Sequence, residues 1–211
     1  MTMGHYFDEE VQADSRPGAV VLTVPGLSAG LVTDRGVFSP DQIDRGTRYL
    51  LRTGPQPAYS NKEIVDIGAG YGPITCALAT WNPQATIWAV EVNDRARELC
   101  EINVANLKLD NVRVVSPAQI PTGLLVDQIW SNPPIRIGKK PLHELLLFWL
   151  RRLRPWGSAH LVVHKNLGSD SLHRWLETQE FEVVRRGSER GYRVLDVTHS
   201  DPDAINRTQG E

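Results

Sequence analysis

Apolar residues recur along the chain with two different periods. Ala19 to Val24 (AVVLTV) and Gly30 to Thr33 (GLVT), separated by PGLSAG, predict a short antiparallel hairpin. In SPDQIDRGTRYLL, Ser39 can cap a helix, Pro40 suits its first position and Gln42 completes a capping box, so a helix is expected from Ser39. Ile43, Thr47, Leu50 and Leu51 would share its inner face. Gly54 to Lys62 (GPQPAYSNK) is polar and proline-bearing, which makes it a connector and the best boundary.

Past the connector, strands and helices take turns. EIVDI, ATIWAVE, VRVV, VDQIWS and SAHLVVH predict strands. PITCALATW, Asp94 to Leu107 with Asn93 as its cap, Pro141 to Leu153, and Ser169 to Thr178 predict helices. In the third of these, Leu142, Leu145, Leu146, Trp149 and Leu153 form one apolar stripe. FEVVRRG and YRVLDVT, joined through SERG, predict a closing hairpin. The alternation implies an α/β protein with a mostly parallel sheet of seven strands covered on both faces, and the last hairpin makes one edge antiparallel. We therefore expect an N-terminal hairpin and helix over 1–53, a main domain over 54–198, and a loose tail over 199–211 with nothing to bury.

Composition narrows the class. At 211 residues, 41% hydrophobic and 23% charged, the chain has enough apolar material for one globular core. No apolar run reaches the roughly 18 residues of a membrane span, and MTMGHYFDEE lacks the pattern of a signal peptide. Cys76 and Cys100 stand far apart without ligand spacing, as expected of reduced core thiols in a cytoplasmic protein, and no metal is expected. The six histidines show neither metalloprotease spacing nor a Cys/His cluster. GSDSL lacks a glycine that a nucleophile elbow requires, and His160 and His164 read as packing residues along a strand. Charge adds an asymmetry. Trp130 to Arg193 holds 12 Lys or Arg against 6 Asp or Glu, within a chain of net charge −2. Such a bias fits either solvated helix faces or a side that meets a polyanion.

Two stretches carry chemistry. The first strand after the connector ends in DIGAGYGP, with Asp66, Gly68, Ala69, Gly70 and Gly72. Glycines at alternate positions let the backbone turn sharply and approach a ligand that a Cβ would repel. The next strand ends in Glu91, followed by Val92, and a carboxylate there can accept both hydroxyls of a ribose. A pyrophosphate would favour the G-x-G-x-x-G spacing and free N–H groups at the helix start. Here the spacing is G-x-G-x-G, Asp66 precedes it and Pro73 removes an N–H. An acidic pocket suits a ligand carrying an ammonium and a sulfonium, so S-adenosyl-L-methionine is expected, with an NAD dehydrogenase as the alternative.

The second stretch is SNPPIRIGKK, placed where VDQIWS should end. The prolines remove two donors and stiffen the turn, leaving the Asn132 side-chain oxygen and the carbonyls of Pro133 and its neighbours as acceptors. Two acceptors that hold the two N–H groups of a planar amine would turn its lone pair toward a methyl group and stabilise the charge that develops on nitrogen. Asn132 cannot act as a general base. Arg136, Lys139 and Lys140 follow at once and would suit phosphate contacts, as would Lys165 at the end of the neighbouring strand.

Taken together, D-x-G-x-G-x-G, Glu91 and Asn-Pro-Pro resemble the class I methyltransferases that act on exocyclic or amide nitrogens. More narrowly, TDRGVFSPDQIDRGTRYLL, SNPPIRIGKKPLH, HKNLGSDSL and GYRVL resemble small-domain methyltransferases related to the bacterial enzymes that methylate guanine N2 in small-subunit ribosomal RNA, in a single-domain form. The likeness runs from about His5 to Val197. It implies a Rossmann-like sheet with an antiparallel last strand, S-adenosyl-L-methionine as methyl donor, and ribosomal RNA or a ribosomal subunit as substrate. It also implies that Asn132, Pro133, Pro134 and Ile135 are the catalytic four, and that Phe38 and Asp44 to Thr47 belong to a helix roofing the site. Two positions depart from the pattern. Ile135 replaces the aromatic residue that relatives often carry there, and Ser116 and Gln119 stand where relatives often hold an acid or amide for the adenine. Two other readings of the same residues are a methyltransferase of a protein glutamine amide and a cofactor-binding RNA-interaction module without turnover.

Overall fold

The computed structural model describes residues 15–203. The opening MTMGHYFDEE and the last residues of the expected tail, from 204 on, lie outside the described residues. β1 (Gly18–Val24) and β2 (Leu27–Thr33) form the hairpin, closed by the positive-φ Gly26. The seven-stranded sheet comprises β3 (Glu63–Ile67), β4 (Thr86–Val90), β5 (Val112–Val115), β6 (Val126–Ser131), β7 (Leu153–His164), β8 (Phe181–Glu189) and β9 (Tyr192–His199). Its order is β5-β4-β3-β6-β7-β9-β8, with β9 antiparallel to both neighbours and the remaining neighbours parallel. This is the mostly parallel sheet expected from the alternation, in the Rossmann-like, doubly wound form that the family resemblance implied.

Five helices cover the sheet: α1 (Arg45–Thr53), α2 (Pro73–Trp81), α3 (Asp94–Asn106), α4 (Lys139–Leu150) and α5 (Ser169–Glu177). Side chains alternate across each strand, so neighbours serve opposite cores. Ile64 packs with Leu22, Leu31, Leu50 and Leu78 on the side of the hairpin, α1 and α2, whereas Val65 packs with Leu146, Trp149 and Leu172 on the side of α4 and α5. The hairpin is fastened to the sheet by polar contacts as well. Asn103 of α3 bonds both the N–H and the carbonyl of Val32, and also the Tyr71 carbonyl. Asp34 accepts from Ser15, from the Arg16 N–H and from the Arg95 guanidinium.

Several boundaries differ from expectation, and β2 begins at Leu27 rather than Gly30, so that the turn shrinks to Pro25 and Gly26. The first helix begins at Arg45 rather than near Pro40, because Asp44 is its cap and accepts from the N–H groups of Gly46 and Thr47. Ser39 has φ 52, outside helical space, and its hydroxyl donates to the Gln42 carbonyl within a turn. Ser and Asp are comparable caps, and starting at Asp44 is what buries Thr47, Leu50 and Leu51. α4 starts at Lys139 and stops at Leu150, and Leu153 instead begins a longer β7 while remaining buried.

Candidate active site

In the sheet, the chain runs outward from β3 through β4 to β5, then crosses back to β6, so its direction reverses between β3 and β6. Ligands of open α/β sheets bind beyond the carboxyl ends of the strands at such a point. Ile67 pairs with Ser131, which places Gly68 and Asn132 side by side as they leave the sheet. The Ser131 hydroxyl donates to the Ile67 carbonyl at 2.8 Å and ties the two strand ends together.

The glycine turn is backbone chemistry. Gly68, Gly70 and Gly72 have φ of 72, 58 and 94, values costly for other residues. Gly72 also has no room for a side chain, since a Cβ there would lie 2.7 Å from Cys100 Sγ. By contrast, a Cβ at Gly70 would meet nothing within 4 Å, which marks that edge of the turn as open. Gly68 and Ala69 donate N–H bonds to the Val90 carbonyl, and the turn leads into α2 with Pro73 at its start.

Glu91, half-buried, spans this turn and the next. One oxygen accepts from the Gly70 N–H at 2.8 Å and the other from the N–H groups of Val92 and Asn93, each at 2.9 Å. The carboxylate therefore fixes the loop and still offers one lone pair, on the oxygen that meets Gly70. Beneath the turn, Asp66 is fully buried. Its Oδ2 accepts from Thr75 at 2.6 Å and its Oδ1 has no partner. Burial, with Glu91 nearby, pushes its carboxyl up to about 7. An unpaired buried acid oxygen, an open glycine edge and a carboxylate at the next strand end match the ammonium, chain and ribose of S-adenosyl-L-methionine. The residues fit that group.

The Asn-Pro-Pro turn stands opposite, close enough that a Cβ on Gly68 would touch Pro134 at 3.9 Å. Pro134, with φ −74 and ψ 72, forms an inverse γ-turn in which the Pro133 carbonyl accepts from the Ile135 N–H at 2.8 Å. The Pro134 carbonyl accepts from Ile137. The expected row of vacant acceptors is thus partly used. Pro133 keeps one lone pair, while Asn132 Oδ1 has no bond to any described residue. The Asn132 amide nitrogen donates to Asp44 Oδ2 at 2.9 Å and to Thr47 Oγ1 at 3.1 Å.

The other expected residues ring this centre. Ser116 follows β5, whose Val115 carbonyl receives the Glu91 N–H, and the Gln119 side chain caps the Ser116 N–H. Phe38 is 65% exposed in the segment before α1, next to Ser39, whose carbonyl receives the Tyr71 hydroxyl. Arg136, Lys139 and Lys165 are exposed, and among the described residues no hydrogen bond or ion pair engages their side chains, whereas Lys140 pairs with Glu144. Lys165 closes β7, with its N–H on the Gly191 carbonyl.

Sequence reasoning missed part of the site. It placed Asp44 and Thr47 in a roofing helix but gave no role to their side chains. It also passed over Tyr192, whose ring lies against Gly46 and edge-on to His164 at 4.9 Å. The signal was present in D-R-G-T, where an acid two residues before glycine can cap a helix. His160 proves to be a buried packing residue, bonded to Asp196 and Ser158 and lying 4.9 Å from the Trp130 ring. Among the described residues, no group of His, Cys, Asp or Glu is placed to hold a metal ion, and no helix is long and apolar enough to cross a membrane.

A doubly wound sheet with a glycine turn and an Asn-Pro-Pro turn facing each other across the reversal of strand order is the architecture of a methyltransferase. The chain belongs to the methyltransferase small domain family, whose model matches residues 28–196. It is 29% identical over 194 residues to the uncharacterized protein YbxB of Bacillus subtilis (strain 168), covering 90% of this chain and 96% of that one. It is 28% identical to ribosomal RNA small subunit methyltransferase C of Shewanella loihica, covering 75% of this chain but 47% of the relative. Among solved structures, a 16S rRNA guanine-N2 methyltransferase (RsmC) of T. Thermophilus, in complex with AdoMet and guanosine, aligns with a TM-score of 0.74 at 23% identity. That alignment covers 87% of this chain and 50% of the other. The chain thus spans nearly all of YbxB and about half the length of the ribosomal RNA methyltransferases it matches.

Proposed function

We propose that this protein is an S-adenosylmethionine-dependent N-methyltransferase acting on an exocyclic nucleobase amine, namely guanine N2 of ribosomal RNA. The observation that carries this reading is the state of Asn132: its amide nitrogen is engaged by Asp44 and Thr47, leaving Oδ1 as a vacant acceptor beside the glycine turn. S-adenosylmethionine, when bound, supplies an electrophilic methyl group on a sulfonium. Asp66, Gly68, Ala69, Gly70 and Glu91 would hold it, with Val92 and Ser116 flanking the adenosine side.

The chain's own part is positioning. Asn132 Oδ1 and the remaining lone pair of the Pro133 carbonyl accept the two amine N–H groups, which turns the nitrogen lone pair out of conjugation and stabilises the charge that grows on it. No side chain needs to remove a proton first, because the product ammonium is acidic enough to lose one to water. The exposed cations Arg136, Lys139 and Lys165 supply phosphate contacts. They favour RNA over a protein glutamine amide, as do the relatives named for ribosomal RNA.

The test is transfer of tritiated methyl from S-adenosylmethionine into ribosomal RNA, ribosomal subunits or total protein from cells lacking this protein. Label in RNA, with mass mapping that finds one guanine short of a methyl in those cells, is the expected result. Label confined to protein would establish the glutamine-amide reading. Cofactor binding without transfer to either would leave a binding module.

A further inference from the structure

An asparagine amide has one accepting edge and one donating edge, and the two are alike in shape. Only the accepting edge can hold the N–H groups of a target amine; a flipped amide would set donor against donor. The turn after β6 does not settle the choice, since both orientations of the Asn132 amide fit the same backbone. The partners on its other side do. Asp44 Oδ2 lies 2.9 Å from Asn132 Nδ2, and an ionised carboxylate accepts but never donates. Thr47 Oγ1, at 3.1 Å, supplies a second acceptor.

Asp44 is itself held firmly. The same Oδ2 takes the N–H of Gly46 at 2.7 Å and of Thr47 at 3.1 Å, so the first turn of α1 fixes the carboxylate and its positive end favours the charge. Burial, with the Asp44 carboxylate nearby, raises the Tyr71 hydroxyl up to about 12 and the Tyr192 hydroxyl above its ordinary value. Gly46 is part of the device. A Cβ at this position would fall 2.9 Å from Asp44 Oδ2 and 2.8 Å from the Tyr192 ring, so a larger residue would displace one or the other.

We infer that Asp44, seconded by Thr47, is a positioning residue that locks the Asn132 amide with its oxygen toward the reacting amine. The start of α1 thereby orients the catalytic turn from 88 residues earlier in the chain. This rests on the methyltransferase reading, and the test separates the two. In the full-length protein, the Asn132 side-chain NH2 signals are the pair that disappears from the 1H–15N spectrum of Asn132→Ala. They should show one strongly downfield proton and slow solvent exchange; the shift and exchange of a free amide would overturn the lock, whatever the substrate.

Kinetics supply the second arm, with methyl transfer from S-adenosylmethionine to deproteinised ribosomal RNA as the assay. Asp44→Ser keeps a good helix cap, but its shorter side chain draws the accepting oxygen back from the Asn132 amide, which is then free to turn. It should lower kcat about 50-fold or more while KM and the affinity for S-adenosylhomocysteine stay within about threefold. Thr47→Val should lower kcat by about five- to tenfold, and Thr47→Ser should restore it. If Asn132→Ala runs at the normal rate, the catalytic reading fails while the spectrum still decides the lock. If Asn132→Ala is slow but Asp44→Ser and Thr47→Val are both fast, the lock alone fails. Should Asp44→Ser not fold, Thr47→Val and the spectrum of the unaltered protein decide.

Discussion

The glycine turn after β3 and the Asn-Pro-Pro turn after β6 leave the sheet side by side, yet their geometries have different origins. The first is written into eight consecutive residues. Three glycines take positive φ, the Gly68 and Ala69 N–H groups reach the Val90 carbonyl of the adjoining strand, and Glu91 closes the loop from that strand's end by accepting from Gly70. The second has a rigid backbone, but the atom proposed to do the work is a side-chain oxygen on an amide whose nitrogen is held by Asp44 and Thr47 at the start of a separate helix. A site made of backbone travels with its motif, whereas a site made of side-chain orientation depends on whatever the fold brings against it.

The largest expected effect sharpens the cofactor half. Folding raises the Asp66 carboxyl from 3.8 to about 7, so the folded protein holds a proton that the unfolded chain has released. The resulting contribution is complete below about pH 4 and lost as pH rises through 7, a difference on the order of 4 kcal/mol in the cofactor-free protein. Asp66→Asn keeps an acceptor for Thr75 and should remove this part of the pH dependence. Denaturant unfolding from pH 4 to 8 would show it, and parallel curves for the two proteins would contradict it.

Next comes the chemistry half. Asn132→Ala should reduce kcat by about 100-fold or more, roughly 3 kcal/mol, with S-adenosylhomocysteine affinity by calorimetry nearly unchanged. A loss of cofactor binding instead would mean that the two turns are not separable. Gly72→Ala is the mirror experiment. Its φ of 94 and the nearby Cys100 Sγ should cost about 2 kcal/mol of stability and weaken cofactor binding, with kcat at saturating cofactor largely kept. The smallest effect lies at the rim. Arg136→Ala with Lys139→Ala should weaken RNA binding less than about tenfold and flatten its salt dependence by about one to two phosphate contacts. An unchanged salt slope would remove these residues from the binding surface.

Much of this was legible before folding. Alternating strands and helices implied the mostly parallel sheet, because each strand needs a helix to cross back to its parallel neighbour. The glycine spacing and Glu91 pointed to the cofactor, since only a Cβ-free turn can make that approach. The start of α1 was misread, because Ser39-Pro40 and Asp44 both offer caps and local propensity does not rank them; burial of Thr47, Leu50 and Leu51 against the sheet does. The use of the Pro133 carbonyl within its own turn was equally hidden, because it depends on the ψ of Pro134, which proline does not restrict as it restricts φ.

By itself, then, the amino-acid order determined which backbone conformations the chain could take: where strands end, where positive φ is tolerated, and where prolines withhold donors. Those properties are local, set by sterics within a few residues. The orientation of the Asn132 amide and the unpaired oxygen of Asp66 were decided only in three dimensions. A hydrogen bond between residues 88 apart has no local signature, since its existence depends on two elements being packed within about 3 Å of each other.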